Sequence, residues 1–204
     1  MINEKIHIGQ DFSGQDLSSA DLSGHKFIAC DFSRAISSEA TKWYGGVFQG
    51  CTMHYFNAEN SIFDRCAFSY CDLKFSNFKK SKLTQSQAIW CDFGGSSFKD
   101  ADAHSFSTSN CDFFTSRIQY ARINPYSRDM IAEIVRIDSG DDWAKLMMAA
   151  FIKCSPDMCW RDFAVVGKTE NYKKIGEEIL AALVRHNGLN EKELERYNTH
   201  DVIE

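Results

Sequence analysis

Cys71-Asp72-Leu73-Lys74-Phe75-Ser76-Asn77-Phe78-Lys79-Lys80-Ser81-Lys82-Leu83-Thr84-Gln85-Ser86-Gln87-Ala88-Ile89-Trp90 is one full period of this chain, and Cys91-Asp92-Phe93 opens the next. Cys111-Asp112-Phe113 opens the one after that. Upstream, Cys51-Thr52-Met53 stands one period before Cys71, and Cys30-Asp31-Phe32 stands a period and one extra position before Cys51. A finer period of five fills the interval. Large apolar residues recur at Trp43, Phe48, Met53, Phe63, Phe68, Leu73, Phe78, Leu83, Phe93, Phe98, Phe113, Ile118 and Ile123. A small residue usually stands two positions earlier, as at Gly46, Cys66, Ser76 and Ala121. Five residues per side and four sides per turn describe a square coil, and such internal repeats decide architecture before other signals do.

The repeat reads small, Asp or Asn, Leu or Phe, then two variable residues. It stands here as Ala20-Asp21-Leu22-Ser23-Gly24, Cys30-Asp31-Phe32-Ser33-Arg34 and Ser76-Asn77-Phe78-Lys79-Lys80. This pattern resembles the pentapeptide repeat family over residues 10 to 124. The resemblance implies a mainly β fold: a right-handed quadrilateral β-helix of about six coils. A small α-helical C-terminal domain would follow it, dividing the chain into 1–124 and 125–204.

In that fold the central residue and the small residue before it point inward. The centres begin in one phase at Phe12, Leu17, Leu22, Phe27 and Phe32 and continue one residue out of step from Trp43. One extra residue must be absorbed within 33–40, as a bulge or a small outward loop. Phe56 with Ala58 and Phe106 with Thr108 swap the large and small slots, an exchange cores tolerate when total volume is kept. Ala88 and Ala103 have small partners, so those layers are expected to be thin or filled by neighbours such as Ile89 or Trp90.

The chain has 204 residues and a net charge of −5. Without an apolar run of about 18 residues, or a charged-then-apolar start, the sequence predicts a cytoplasmic protein with no membrane span. Cys30, Cys51, Cys66, Cys71, Cys91 and Cys111 occupy inward small slots. In a reducing compartment they serve as small buried hydrophobes rather than disulfides. The six histidines are scattered, and His25 occupies an inward small slot. No phosphate loop, zinc pair or nucleophile elbow is present. No enzyme, metal site or cofactor is expected, and Cys154 and Cys159 read as packing.

Asp11, Asp31, Asp72, Asp92 and Asp112 share the outward slot before the centre on one side, with Thr52 in the remaining coil. They either hydrogen-bond nearby backbone at the corner or form an anionic stripe for a cationic partner. Some members of the family resembled here mimic double-stranded DNA and modulate type II topoisomerases, which makes DNA gyrase or topoisomerase IV a partner the resemblance brings in. Residues 1–124 hold 12 Lys+Arg against 13 Asp+Glu, too even a balance for a DNA mimic. Lys42, Lys82 and Arg122 line another side. Direct nucleic-acid binding is not expected, because no basic domain or recognised module is present.

Pro125 ends the repeat. Met130, Ile131, Ile134 and Val135 form a helical stripe that should cover the last coil, since a solenoid end needs a cap. A second helix should follow Asp142 with Trp143, Leu146, Met147, Ala150 and Phe151 as its apolar face. Ser155-Pro156, Thr169-Glu170 and Asn190-Glu193 are further helix starts. The reading is a non-enzymatic protein-binding scaffold whose helical tail caps the rod and offers a surface for a partner or a second copy.

Overall fold

The computed structural model describes residues 5–118, 120–123, 127–154, 177–178, 181 and 183–185. The expected helix starts at 155–156, 169–170 and 190–193, and Cys159, lie outside the described residues. The chain first forms a parallel β-solenoid with four faces. One face is a six-stranded sheet of β1 (Ile6–Ile8), β2 (Lys26–Ile28), β3 (Val47–Gln49), β5 (Ala67–Ser69), β7 (Gln87–Ile89) and β8 (Ser107–Ser109), in that order. On a second face β4 (Ile62–Asp64) pairs with β6 (Lys82–Thr84). Single parallel bridges complete the ladders, among them Asp11↔Asp31, Asp31↔Thr52, Thr52↔Asp72, Asp72↔Asp92 and Asp92↔Asp112. Six levels make five steps, about 24 Å at ~4.8 Å per step.

Strands of three residues suffice because each level donates and accepts backbone hydrogen bonds with its neighbours. Phe32 N–H bonds Thr52 O at 2.7 Å, and Asp31 N–H bonds Gln10 O at 3.0 Å. The fifth residue of most sides takes a positive φ and turns the corner. Inside, the centres Phe12, Leu17, Leu22, Phe27, Phe32, Phe48, Phe63, Phe68, Leu73, Phe78, Leu83, Phe93, Phe98, Phe113 and Ile118 are all buried. Their rings stack at the coil spacing: Phe48–Phe68 and Phe93–Phe113 centroids are both 4.8 Å apart.

The inserted residue is pinned by register. Asp16 bridges Ile36, one period on, whereas Asp21 bridges Lys42, a period and one extra position on. The extra residue therefore lies in 37–41. No outward loop forms there. Ser37 and Thr41 both turn inward and are buried. Trp43 Nε1–H donates to Ser37 Oγ (2.7 Å), Thr41 Oγ1 donates to Leu17 O (2.9 Å), and Ser38 Oγ donates to Ser18 O (2.8 Å). Hydroxyls thus supply the bonds that the broken ladder would have made.

Two further expectations need correction. Ile89 and Trp90 do not fill the layer at Ala88; both are substantially exposed, and Phe106 from its small slot reaches Phe93 instead, with centroids 6.4 Å apart. Ile6 and Ile8 point outward, and His7 occupies the buried central slot between them. Counting back five from Phe12 identifies that slot. The second correction concerns the second helix, below.

Helix α1 (Arg128–Ser139) ends at Gly140, which takes a φ of 52°. It buries Met130, Ile131 and Val135, with Ile134 half-buried. Its acidic side chains replace the next coil. In lower coils Tyr55, Phe75 and Gly95 N–H groups bond the carbonyls of Lys74, Gly94 and Phe114. The equivalent Thr115 N–H has no further coil, and Glu133 Oε1 accepts from it at 2.9 Å. Four residues earlier on the helix, hence on the same side of it, Asp129 Oδ2 accepts from Cys111 N–H at 3.0 Å. Arg136 holds Glu133 in place at 2.6 and 2.7 Å. Helix α2 (Trp143–Cys154) is capped by Asp142, whose Oδ1 accepts from Ala144 N–H at 3.0 Å. It packs on α1 through Met148, Ala149 and Ile152, while Trp143, Met147 and Ala150 face outward. The sequence stripe marked the wrong side, because the helix is apolar on more than one side and its neighbour decides which is buried. One continuous core joins the rod to Met130, Ile131, Val135, Met148 and Ile152.

Candidate functional site

The Asp column begins as local structure. Asp11, Asp31, Asp72, Asp92 and Asp112 each accept a hydrogen bond at Oδ1 from the backbone N–H two residues later, at 2.8, 2.8, 3.3, 2.8 and 2.9 Å. Asn57 and Asn77 do the same on the next face. An Asp or Asn before the centre therefore closes the corner, a short-range bond these side chains make readily. The second carboxylate oxygen remains outward.

Stacked carboxylates at ladder spacing repel, and Lys74 and His54 stand between them. Lys74 Nζ lies 2.8 Å from Asp92 and 3.5 Å from Asp72, and His54 Nε2 lies 2.7 Å from Asp72. Burial pushes the Asp72 carboxyl up, yet the His54 and Lys74 contacts hold it below the ordinary carboxylate range. The Asp92 contact, with the charges of Asp92 and Asp72, raises Lys74. Lys153 of α2 stands 3.8 Å from Asp112. Asp11 is held below its usual value by its Ser13 hydrogen bonds.

Charge is sorted by face. The Asp-column face, residues 10–14, 30–34, 51–55, 71–75, 91–95 and 111–115, carries five carboxylates against Arg34 and Lys74, a net of −3 with histidine neutral. The following face carries four acids and four bases, a net of 0. The third carries Asp21, Asp64 and Asp102 against Lys42, Arg65, Lys82 and Arg122, a net of +1. The six-stranded face has Lys26 alone, also +1. The third face neutralises itself through Lys42–Asp21 at 3.1 Å and Arg122–Asp102 at 3.5 Å. On the acidic face a depression of about 420 Å³ opens where Gly14 leaves the corner bare, lined by Asp31, Arg34, His54 and Tyr55 among others.

The column of cysteines behind this face is buried and unpaired. Cys30, Cys51, Cys71 and Cys111 thiols donate to carbonyls of the preceding coil at 3.4–3.5 Å. Burial pushes Cys66 up to about 12. Among the described residues no group of three or more His, Cys, Asp or Glu is placed to hold a metal ion. His25 is drawn into a pair that sequence reasoning missed: its Nδ1 lies 2.9 Å from His7 Nε2, and His7 Nδ1 bonds Gln10 Oε1 at 2.9 Å. No helix among the described residues is long and apolar enough to cross a membrane.

No curated protein matches the chain in sequence. Among solved structures, it is similar to QnrB1, a plasmid-mediated fluoroquinolone resistance protein, at 18% identity and TM-score 0.29, over 60% of this chain and 81% of that one. It is similar to Rfr23 of the cyanobacterium Cyanothece 51142 at 11% identity and TM-score 0.20, over 56% and 88%. A pentapeptide repeat protein of the Arabidopsis thaliana thylakoid lumen is similar at 17% identity and TM-score 0.24, over 67% and 79%. The family model for pentapeptide repeats matches in 8 copies, over residues 8–34, 47–85 and 61–100, and its interruption spans the inserted residue. Over these residues the chain carries pentapeptide repeats, stacked as the β-helix described above.

Proposed function

We propose that this is a non-enzymatic binding protein that presents the Asp11–Asp112 face of a rigid rod to a protein partner. The carrying observation is the sorting of charge: −3 on that face and 0, +1 and +1 on the others. The corner hydrogen bonds explain why Asp or Asn is used; they do not explain why the charged choice gathers on one face. Asn57, Asn77 and Ser97 occupy the same slot on the next face, so a neutral column was equally open to the fold. Charge of one sign on one face steers association and fixes orientation.

Replacing Asp11, Asp31, Asp72, Asp92 and Asp112 by Asn tests the reading. Affinity capture with full-length wild type and the five-Asn variant should show a partner retained by the first and lost by the second. Equal retention by both rejects the face.

The second reading is a DNA-mimic modulator of a type II topoisomerase, favoured by the single-signed column. Its charge density argues against it. A duplex as long as the rod, about 24 Å, carries about 14 phosphate charges at one per ~1.7 Å, against a net of −3 on the acidic face. Wild type should leave gyrase supercoiling unchanged. Salt-sensitive inhibition, lost on Asp72→Asn, Asp92→Asn and Asp112→Asn together, would reverse the order of the two readings.

A further inference from the structure

Exposed rings gather at the edges of the acidic face. Tyr55 and Phe75 stand at its far corners, and Tyr70 and Trp90 at the corners just before Cys71 and Cys91; all four are more than half exposed. Their φ values are 56°, 59°, 54° and 54°, a conformation that bulky side chains adopt only at a cost. At other levels of the same two columns the chain uses Gly9, Ala29, Gly50 and Asn110, and Gly14, Arg34, Gly95 and Thr115. Gly and Asn take this backbone conformation at the least cost, and the four rings stand at these corners without that relief.

Elsewhere this molecule covers exposed rings with its own arginines. Arg65 lies over Tyr44 (5.3 Å) and donates to its hydroxyl, Arg136 lies over Phe114 (4.8 Å), and Arg34 approaches Tyr55 (6.0 Å). Tyr55 also stacks on Phe75 at 5.2 Å. Among the described residues Tyr70 and Trp90 have no ring or guanidinium partner. They sit on adjacent levels, and Asp72 and Asp92 follow each of them by two positions.

We propose that Tyr70, Trp90, Asp72 and Asp92 form a docking site for an arginine-bearing segment of a partner protein. The proposal rests on the reading of this face as the interaction surface and names what it recognises. A guanidinium stacks flat on an aromatic face and presents a fork of N–H donors to a carboxylate. The corner rings and the neighbouring carboxylates supply both halves of that recognition. The net charge of the face complements a cationic segment. Lys74, which now bridges the two carboxylates with its own side chain 40% exposed, makes an exchangeable surface contact that an incoming guanidinium can displace. A lysine side chain brings charge without a stacking plane.

Calorimetric titration of the full-length protein with acetylated oligo-arginine and oligo-lysine peptides, at about 0.15 M salt, tests this. Wild type should bind oligo-arginine about ten-fold more tightly than oligo-lysine. The Tyr70→Asn, Trp90→Asn variant should bind both peptides equally, with oligo-arginine weakened about ten-fold. Its melting temperature should be unchanged or higher, since Asn110 already fills the next corner of that column. Undiminished oligo-arginine binding by the folded double variant overturns the proposal, as does equal binding of both peptides by wild type. The five-Asn variant separates the two readings. If it loses both peptides while the corner variant keeps them, the acidic face stands and the aromatic corner falls. If it binds both peptides like wild type, both fall.

Discussion

The two ends of the rod solve the same problem in different ways. Every coil leaves donors, acceptors and apolar rings for the next coil to satisfy, and an end has no next coil. The C-terminal end borrows side chains: α1 lays Asp129 and Glu133 against Cys111 and Thr115 N–H groups. The first coil instead keeps a polar pair inside itself, His7 against His25, with His7 stacked on Phe27 at 4.8 Å. The difference teaches that the C-terminal end depends on acceptors fixed by geometry, whereas the N-terminal coil depends on protonation state.

The interior sets the scale for both. Phe93→Ala, in the middle of a stacked column, should cost about 3–5 kcal/mol in a chemical melt. A loss under about 1 kcal/mol would remove that slot from the core.

Glu133→Ala should cost about 1–3 kcal/mol, because it orphans the Thr115 donor and frees Arg136. Glu133→Gln keeps an acceptor and should recover most of it. Hydrogen exchange should report the loss at the last coil and α1. A uniform change along the rod would show that the cap does not act locally.

Acid should act on the two ends with opposite sign. Burial first, then the charges of His7 and Lys5, lowers His25 below its usual value, so the unfolded chain binds the proton more readily. Stability contributed there is present above about pH 6.5 and is lost as pH falls through and below that value. Burial raises Asp129 above the ordinary carboxylate range, partly opposed by the Cys111 hydrogen bond and Lys153. Its charged form is the costly one, so the cap gains as pH falls through that raised value. Between neutral pH and pH about 5, the protection of Gly9 and Lys26 amides, relative to intrinsic exchange at each pH, should fall while Thr115 stays protected. His25→Ser should flatten the N-terminal response, and simultaneous loss of protection at both ends would break the contrast.

The smallest effect concerns the thiols. Cys30, Cys51, Cys71, Cys91 and Cys111 should alkylate only on unfolding, whereas the exposed Cys154 should label at once. Earlier labelling of Cys30 than of the other buried thiols on acidification would sharpen the comparison, since its thiol donates to His7 O.

The period of five by itself determined which residues are centres, which are small and which face outward, from Phe12 to Ile123. A translational repeat carries that information locally, because each residue's environment recurs one coil away. The same period contained His7, five before Phe12, but a polar residue in an apolar slot gives no hydropathy signal. The Asp column was legible as a row; its corner bonds followed from what Asp does two positions from a backbone N–H. What the sequence did not carry is anything that depends on which residues become neighbours. The place of the insertion needed the register of Asp16 with Ile36 and Asp21 with Lys42. The buried side of α2 needed α1 beside it, since apolar residues lie on both sides, Trp143 and Met147 on the exposed one and Met148 and Ile152 on the buried one. The acidic face with bare aromatic corners emerged only once the coils were stacked, because charge sums and unpartnered rings belong to surfaces, and a surface gathers residues a whole coil apart in the chain.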